Sequence, residues 1–216
     1  MRDVAEFYDK IASEYDAHYI RAIDIAEDRL TSAILDRHIQ HDTAVLDVGC
    51  GTGHTLTVSN PAYYAGLDIS SEMLRRAKRQ WPGRRFLNYD MDDLHSAVHR
   101  RKSFDVVTCL NEVGLYAKDY PKLVEGMCMV ARKSVILSVP LPAHKGRYRL
   151  TAESPGKNYM SRSEIIEPFK RTFSKVEVTT YSSAWVDRTP KLWLDRFGGR
   201  WPWWLNPYYI IVEAMV

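Results

Sequence analysis

The sequence predicts an α/β fold: a doubly wound, mostly parallel seven-stranded sheet with an antiparallel last strand and an N-terminal helical cap. The first observation is that short β-rich runs alternate with helical segments along most of the chain. This alternation is typical of a parallel sheet covered by helices on both faces. The second is that the last two runs, 175–181 and 207–215, have no helical segment between them, so we expect them to pair antiparallel.

The seven predicted strands are short runs rich in β-branched, aromatic and other apolar residues. They cover residues 44–48, 63–69, 85–89, 104–110, 134–139, 175–181 and 207–215.

Helices are predicted from apolar side chains at helical spacing and from capping residues. The N-terminal cap, 1–40, carries two stripes: Val4, Phe7, Tyr8, Ile11 and Tyr15, then Ile23, Ala26, Leu30, Ala33 and Ile34. Later helices are expected after Ser70, Asp92, Asp119 and the capping box of Ser161 and Glu164. Pro168 should kink or end the last of these helices.

Length and composition limit the class of protein. A chain of 216 residues can form one domain with a substantial core, and a hydrophobic fraction of 45% excludes a disordered chain. The formal charge of +3 is too small to imply a nucleic-acid partner. No apolar run approaches the roughly 20 residues of a membrane-spanning helix, and the N-terminal residues lack the pattern of a signal peptide. Three cysteines, an odd number, are typical of reduced thiols, and we expect a cytoplasmic protein.

The stretch VLDVGCGTGHT, residues 45–55, predicts a ligand-binding turn between the first strand and the next helix. In α/β folds this edge of the sheet binds ligands, and the glycines at 49, 51 and 53 let the backbone approach one closely. A dinucleotide fold would require Gly-x-Gly-x-x-Gly, but positions 54 and 56 are His and Leu. The acid Asp47 beside the turn is unfavourable for a pyrophosphate and suits a cationic ligand.

A second acid follows the next predicted strand. Asp68 lies 21 positions after Asp47, where a carboxylate can accept hydrogen bonds from both hydroxyls of a ribose. Acids at both strand ends, without a phosphate-binding pattern, indicate a ribosylated cation. We interpret the ligand as S-adenosylmethionine, whose product is S-adenosylhomocysteine, and we expect no metal.

Five motifs resemble the class I, seven-stranded S-adenosylmethionine-dependent methyltransferases, small-molecule branch, over nearly the whole chain. They are VLDVGCGTG (45–53), GLDISSEML (66–74), FLNYDMDDL (86–94), FDVVTCLNEVGLY (104–116) and VILSVP (135–140). FYDKIASEYD (7–16) is similar to the cap helix of that branch.

The resemblance implies a set of cofactor-binding residues. Gly49 and Gly51 would pack against the methionine moiety, Asp47 would order the turn and the amino group, and Asp68 would hold the ribose. The adenine would be flanked by Ile69 and Met73, with Asp90 and Met91 at its amino edge and Asn111 near the methionine amino group. Cys50 falls within the same turn, where we interpret it as a small tolerated residue rather than a reactive thiol.

Each of these residues also has a purely structural interpretation. Asp47 could only form the turn, Asp68 could cap a helix, Asp90 could belong to a solvated acidic helix start, Met73 could pack in the core, and Asn111 could form a strand-end turn.

The resemblance also implies a division of the domain into a cofactor-binding half, 44–140, and a substrate-side half, 141–216. The Trp-rich insertion, 182–206, is a long connection, and such connections are uncommon unless functional. It could be a packed surface excursion, a substrate lid, or an interfacial patch for a membrane or a partner.

Catalysis of methyl transfer needs alignment of the nucleophile, with a base if the acceptor is a hydroxyl. His144 is the best candidate base, with Asn111 at the mouth of the substrate site. Tyr15, with Tyr8 and Tyr116, could form the walls of that site or pack in the core.

The expected acceptor is an O or N atom of a small, flat or apolar molecule. The place after the fourth strand reads NEVG rather than the Asn-Pro-Pro-Tyr type of nucleic-acid amino-methylating enzymes. A protein or RNA methyltransferase, or a non-catalytic regulatory protein that binds S-adenosylmethionine, remains an alternative. The glycine spacing disfavours an NAD-dependent oxidoreductase.

Overall fold

The structure is a computed structural model that describes six ranges of the chain. These are residues 2–18, 22–94, 102–111, 113–141, 155–181 and 209–215. The candidate base His144 and the Trp-rich insertion lie outside the described residues.

The centre of the fold is a seven-stranded sheet in the order β3-β2-β1-β4-β5-β7-β6. The strands are Ala44–Val48 (β1), Tyr63–Asp68 (β2), Arg85–Asn88 (β3), Phe104–Cys109 (β4), Ala131–Pro140 (β5), Lys175–Tyr181 (β6) and Tyr209–Met215 (β7). The pairs from β3 through β5 are parallel, and β7 is antiparallel to both β5 and β6. The predicted fold class is therefore confirmed.

Six α-helices and three 3₁₀ turns are described around this sheet. The helices are Arg2–Ile11 (α1), Ala22–His38 (α2), Thr55–Val58 (α3), Ser71–Gln80 (α4), Tyr120–Val130 (α5) and Arg162–Lys170 (α6). The 3₁₀ turns are Tyr15–His18, Met91–Asp93 and Val113–Tyr116.

Three of the predicted helix starts have the expected caps. Ser70 accepts a hydrogen bond from the Met73 N–H, and Asp119 accepts one from Lys122. Ser161 and Glu164 form the complete capping box. Each cap satisfies a backbone donor that the first helical turn leaves without a partner.

One detail of the helix prediction is wrong, and the structure adds detail to two others. The first helix ends at Ile11, because the Glu14 N–H donates to Ile11 in a tighter turn, so Tyr15 lies in a separate 3₁₀ turn. Asp92 lies inside a 3₁₀ turn capped by Asp90, and Leu94, directly after that turn, is helical where this described range ends. The last helix continues two residues past Pro168, and the Arg171 N–H still donates to the Glu167 carbonyl at 3.3 Å.

Both faces of the sheet are buried by helices. On one face, Met127 of α5 and Phe169 of α6 pack in the same cluster as Leu137 of β5. On the other, α2 and α4 pack against the sheet. Within the sheet, Glu213 of β7 is only 1% exposed and accepts from Arg37 and His38 of α2. Because a buried carboxylate needs such partners, this cluster ties the end of α2 to β7.

Among the described residues, no helix has both the length and the apolar character needed to cross a membrane.

Candidate functional site

A cleft opens at the carboxyl edge of the sheet, where β1, β2 and β4 end. It encloses about 590 Å³ of space not filled by protein atoms, part of it open to solvent. We call the lining contributed by β2, α4 and the residues after β3 the β2 side: Leu67, Asp68, Ile69, Met73, Tyr89 and Met91. The β4 side is the rest of the lining: Val4, Tyr8, Tyr15, Gly49, Gly51, Asn111, Val113 and Tyr116.

The glycine turn after β1 forms the floor of this cleft. Gly49, Gly51 and Gly53 have φ values of 73°, 53° and 87°. These values lie in the left-handed region, which residues with a Cβ rarely adopt. A Cβ at Gly49 would lie 2.2 Å from Val113 Cγ1, and one at Gly53 would lie 2.8 Å from the Trp81 ring. At Gly51 the nearest atom would be Tyr15 Cε1 at 4.0 Å, so the turn is open towards the cleft there.

Asp68 is held at the centre of the cleft by two backbone donors. Its Oδ2 accepts from the Gly51 N–H and its Oδ1 from the Ser70 N–H, both at 2.8 Å. Burial raises the pKa of this carboxyl to about 6, although the Ser70 and Gly51 hydrogen bonds oppose that rise. Each carboxylate oxygen has a second lone pair, so the group can accept further hydrogen bonds from a diol.

Asp47 lies beneath the turn and does not line the cleft. It is 2% exposed, and its carboxylate accepts from the Tyr64 hydroxyl and the Thr108 hydroxyl, both at 2.8 Å. Burial raises its pKa, and these hydrogen bonds oppose the rise. The carboxylate therefore links β1 to its two neighbouring strands, and it lies on the inner side of the turn.

The other predicted adenine-side residues fall into two groups. Ile69, Met73 and Met91 line the β2 side. Asp90 does not line the cleft; its Oδ1 accepts from the Asp92 N–H at 3.0 Å and so caps the 3₁₀ turn. Cys50 is buried and also absent from the lining, and burial raises the pKa of its thiol, as expected of an unreactive residue in the turn.

Asn111 and Tyr15 lie on the β4 side, as two of the three predicted catalytic residues. Asn111 is at the end of β4 with φ 55°, and its N–H donates to Ser138 Oγ at 3.0 Å. Asn111 therefore forms the strand-end turn and also lines the cleft. A structural role in the turn and a position at the site are thus compatible.

Three tyrosines form most of the aromatic wall of the β4 side. The hydroxyls of Tyr8 and Tyr116 are 3.1 Å apart, and the two rings meet edge to face. Tyr8 also packs edge to face against Tyr15, with ring centroids 6.0 Å apart. Lys157 places its ammonium 5.7 Å from the centroid of Tyr116. Aromatic rings can bind cations and flat molecules, so a lining of this kind suits either as a ligand.

Sequence reasoning missed four lining residues, one of which is Leu67 in β2. Val4 comes from α1, Tyr89 follows β3, and Val113 follows β4. Tyr89 carried a usable signal, because residues that directly follow a parallel strand lie at the carboxyl edge. Val4 and Val113 reach the cleft only through the packing of segments distant in sequence, which no local pattern indicates.

His54, the residue after the glycines, contacts α2 and not the cleft. It lies 2.8 Å from Asp28 of α2, which raises its pKa, and it does not line the cleft. No histidine is among the described residues that line the cleft.

Comparison with known proteins identifies a domain and two relatives. Residues 45–134 match the family described as "Methyltransferase domain". The chain is 40% identical over 77 residues to an uncharacterized protein of Methanocaldococcus jannaschii, an alignment that covers 36% of this chain and 29% of that protein. It is 33% identical over 111 residues to the dTDP-3-amino-3,6-dideoxy-alpha-D-glucopyranose N,N-dimethyltransferase of Streptomyces fradiae, with 50% and 40% covered. The chain thus spans less than half the length of either curated relative.

Solved structures share the fold over the whole chain. A chain from the complex of the Haloferax volcanii Trm112 methyltransferase activator with a methyltransferase has a TM-score of 0.72, with 18% identity and coverage of 98% and 96%. A candidate histamine N-methyltransferase of Thermotoga maritima has a TM-score of 0.71, with 11% identity and coverage of 98% and 99%. Magnesium protoporphyrin IX methyltransferase of Synechocystis, solved with bound S-adenosylmethionine, has a TM-score of 0.60, with 15% identity and coverage of 99% and 96%.

The match to a methyltransferase domain over residues 45–134 and the sheet order agree with the resemblance found in the motifs. S-adenosylmethionine is supported as the cofactor by the matched methyltransferase domain and by the neighbour of the same fold that was solved with it bound. The donor set of the cleft fits this group, because Asp68 can accept from a diol and the turn is open at Gly51.

Proposed function

We propose, from the methyltransferase domain matched over residues 45–134 and from the cleft, that the protein transfers the methyl group of S-adenosylmethionine to a nitrogen or oxygen atom of a small molecule. The observation that carries the proposal is the cleft itself, with a carboxylate suited to a ribose on its β2 side and an aromatic wall on its β4 side. The cofactor supplies a methyl group already activated on a sulfonium, so the protein mainly has to align the acceptor and exclude water.

The residues of the cleft would have separate roles in binding the cofactor and the acceptor. Asp68 would bind the ribose, Ile69 and Met73 would flank the adenine, and Gly51 would let the methionine moiety approach the backbone. Tyr8, Tyr15 and Tyr116 would enclose the acceptor, and the Asn111 amide would orient it. Asp47, beneath the turn, would keep the turn in place rather than touch the cofactor.

An amine is the favoured acceptor. A neutral amine attacks with its own lone pair, whereas a hydroxyl needs a base in the transition state. Asp68 is the only carboxylate among the described residues that line the cleft, and it is engaged by Gly51 and Ser70. Two of the similar proteins are also named for amine methylation. A hydroxyl acceptor would require His144 as base, as the sequence suggested.

The experiment that tests this proposal has two steps. Calorimetry with S-adenosylmethionine, S-adenosylhomocysteine and NADH should show binding of the first two and none of NADH. Transfer of a tritiated methyl group should then be measured with a panel of amines, phenols and amino sugars. Absence of binding by both adenosyl ligands would overturn the proposal, and binding without transfer to any acceptor would support a regulatory protein instead.

A second candidate is a methyltransferase for a protein or RNA acceptor that works with an activator protein. It is favoured by the similarity in fold to the Haloferax volcanii chain, which was solved in a complex with a methyltransferase activator. Transfer of label to a macromolecular extract, but not to the small-molecule panel, would decide for this candidate.

A further inference from the structure

Asp9, on α1, contacts the loop that follows β2. Its Oδ1 accepts from the Ser70 hydroxyl at 2.6 Å and from the Glu72 N–H at 3.0 Å. Ser70 is also the residue whose N–H donates to Asp68 Oδ1 and whose hydroxyl caps α4. Asp9 therefore binds the hydroxyl of Ser70, and Asp68 accepts from the N–H of the same residue.

Asp16, in the 3₁₀ turn after α1, makes an equivalent contact with the glycine turn. Its Oδ1 accepts from Thr52 Oγ1 at 2.7 Å, and its Oδ2 lies 3.4 Å from Arg76 Nη2. Thr52 directly follows Gly51, whose N–H donates to Asp68 Oδ2. The neighbouring Tyr15 ring stands over Gly51.

The two contacts converge on one carboxylate. Each oxygen of Asp68 accepts from a backbone N–H, one from Ser70 and one from Gly51. Each of these donors is held by a carboxylate of the N-terminal segment, residues 2–18, either directly or through the adjacent Thr52. We infer that Asp9 and Asp16 are positioning residues for the ribose site, and that docking of the N-terminal segment sets the orientation of Asp68.

The inference has a chemical consequence that rests on the proposed function. Asp68 is the residue proposed to hold the ribose, and Val4, Tyr8 and Tyr15 of the same N-terminal segment line the acceptor side. Docking of one segment thus organises both parts of the cleft. Loss of either aspartate should weaken binding of the ribose-bearing ligand even though neither aspartate lines the cleft.

A double-mutant cycle with S-adenosylhomocysteine as the probe tests this coupling. Asp9→Ala and Asp16→Ala should each raise the Kd for S-adenosylhomocysteine about tenfold, as expected for loss of a charge-assisted hydrogen bond. In an Asp68→Asn background, the same changes should raise it less than about twofold, because the group that they position has been altered. Equal effects in both backgrounds would mean a general structural role and would overturn the inference.

The control is Glu6→Ala, which removes a charge from the same helix. Glu6 is 64% exposed and lies 3.9 Å from Arg2, so its loss should leave the Kd unchanged. Asp9→Asn keeps an accepting oxygen and should raise the Kd only about twofold to threefold. It is the variant to use if Asp9→Ala does not fold.

Hydrogen exchange separates this inference from the proposed function. In the ligand-free protein, Asp9→Ala should speed exchange of the Ser70 amide, and Asp16→Ala that of the Gly51 amide, each by about tenfold. Unchanged exchange at both amides would overturn the inference whether or not any cofactor binds. Failure of the wild-type protein to bind S-adenosylhomocysteine, with faster exchange in the variants, would overturn only the proposed function.

Discussion

The two sides of the cleft are built in different ways. The β2 side takes four of its residues from the short stretch between Leu67 and Met73, at a strand end and a helix start, and the other two from just after β3. The β4 side combines α1, the 3₁₀ turn at Tyr15–His18, the glycine turn and the residues after β4. Backbone donors fix the first, whereas packing of aromatic and apolar side chains from distant segments forms the second.

Under the proposed function, the β2 side would bind the cofactor and the β4 side would select the acceptor. A carboxylate held by two backbone N–H groups leaves little room for variation, because the donors belong to the turns that follow β1 and β2. A wall of Tyr8, Tyr15 and Tyr116 can change shape by side-chain substitution without disturbing the sheet. Mutations on the β2 side should therefore affect cofactor binding, and mutations of the tyrosine wall on the β4 side should affect transfer.

The largest effect is expected at the glycine turn, which forms the floor of the cleft. Gly49→Ala would combine a positive φ with a Cβ 2.2 Å from Val113, so it should cost about 3 kcal/mol of stability or more and abolish measurable cofactor binding. Urea denaturation and calorimetry would measure the two effects.

Gly83→Ala is the matched control for that substitution. Gly83 also has a positive φ, 87°, but an added Cβ there would meet nothing within 4 Å. It should cost about 1 kcal/mol, from backbone strain alone, and leave cofactor binding intact. Equal losses of stability in the two variants would show that the contact with Val113 is not tight.

The second effect concerns the ribose carboxylate on the β2 side. Asp68→Ala should weaken binding of S-adenosylhomocysteine by about 2–3 kcal/mol, since hydrogen bonds to a charged group are lost. Calorimetry at neutral pH measures it, and a Kd within threefold of the wild-type value would contradict the ribose assignment.

The same carboxylate predicts a pH dependence. Because burial raises the pKa of Asp68 to about 6, the group becomes protonated below that pH and accepts hydrogen bonds poorly. Binding of S-adenosylhomocysteine should be about tenfold weaker at pH 5 than at pH 7, and nearly independent of pH in Asp68→Asn.

Stability of the ligand-free protein should change in the opposite direction. A carboxyl whose pKa is raised from 3.8 to about 6 by folding binds its proton more tightly in the folded state. Its contribution to stability is therefore present below pH 4 and is lost as the pH rises towards 6. Denaturation curves of wild type and Asp68→Asn across this range would reveal the difference.

A smaller effect is expected on the β4 side. Tyr116→Phe removes the hydroxyl that lies 3.1 Å from the Tyr8 hydroxyl, and should lower kcat/KM for the acceptor about fivefold, with cofactor Kd unchanged. Tyr63→Phe, at a tyrosine that is 66% exposed, is the control and should change neither. A weaker cofactor affinity in Tyr116→Phe would remove the proposed separation between the two sides.

The smallest effect on the cofactor is expected at Asp90. Because this residue caps the Met91–Asp93 turn and does not line the cleft, Asp90→Ala should cost about 1 kcal/mol of stability. Binding of S-adenosylhomocysteine should weaken less than threefold. A tenfold loss of affinity at unchanged stability would instead support the adenine contact predicted from the resemblance.

What could be predicted from the sequence depended on the distance between interacting residues. The turn at Gly49–Gly53, the acid Asp68 and the cap Ser70 follow from local patterns of strand, turn and helix start, and they lie where those patterns indicate. The contacts of Asp9 with Ser70 and of Asp16 with Thr52 join residues 61 and 36 positions apart. No periodicity connects such pairs, since they arise only when the N-terminal segment docks.

Tyr15 illustrates the same limit within a single segment. Its spacing from Ile11 suits an α-helix, yet the chain tightens after Ile11 and Tyr15 lies over Gly51. Tertiary contacts with the glycine turn outweighed the weak helical preference of the sequence. Asp47 shows the complementary case, because its position was predicted while its partners Tyr64 and Thr108, on neighbouring strands, were not.

The position of β7 between β5 and β6 also affects how the protein is made. When the ribosome has completed β6, β7, which is its neighbour among the described strands, has not yet been translated. At roughly 5–20 residues per second, β7 follows about 2–7 s later. During that interval β6 and the edge of β5 are both open strands of a nascent chain, which is when a chaperone would protect them or aggregation would begin.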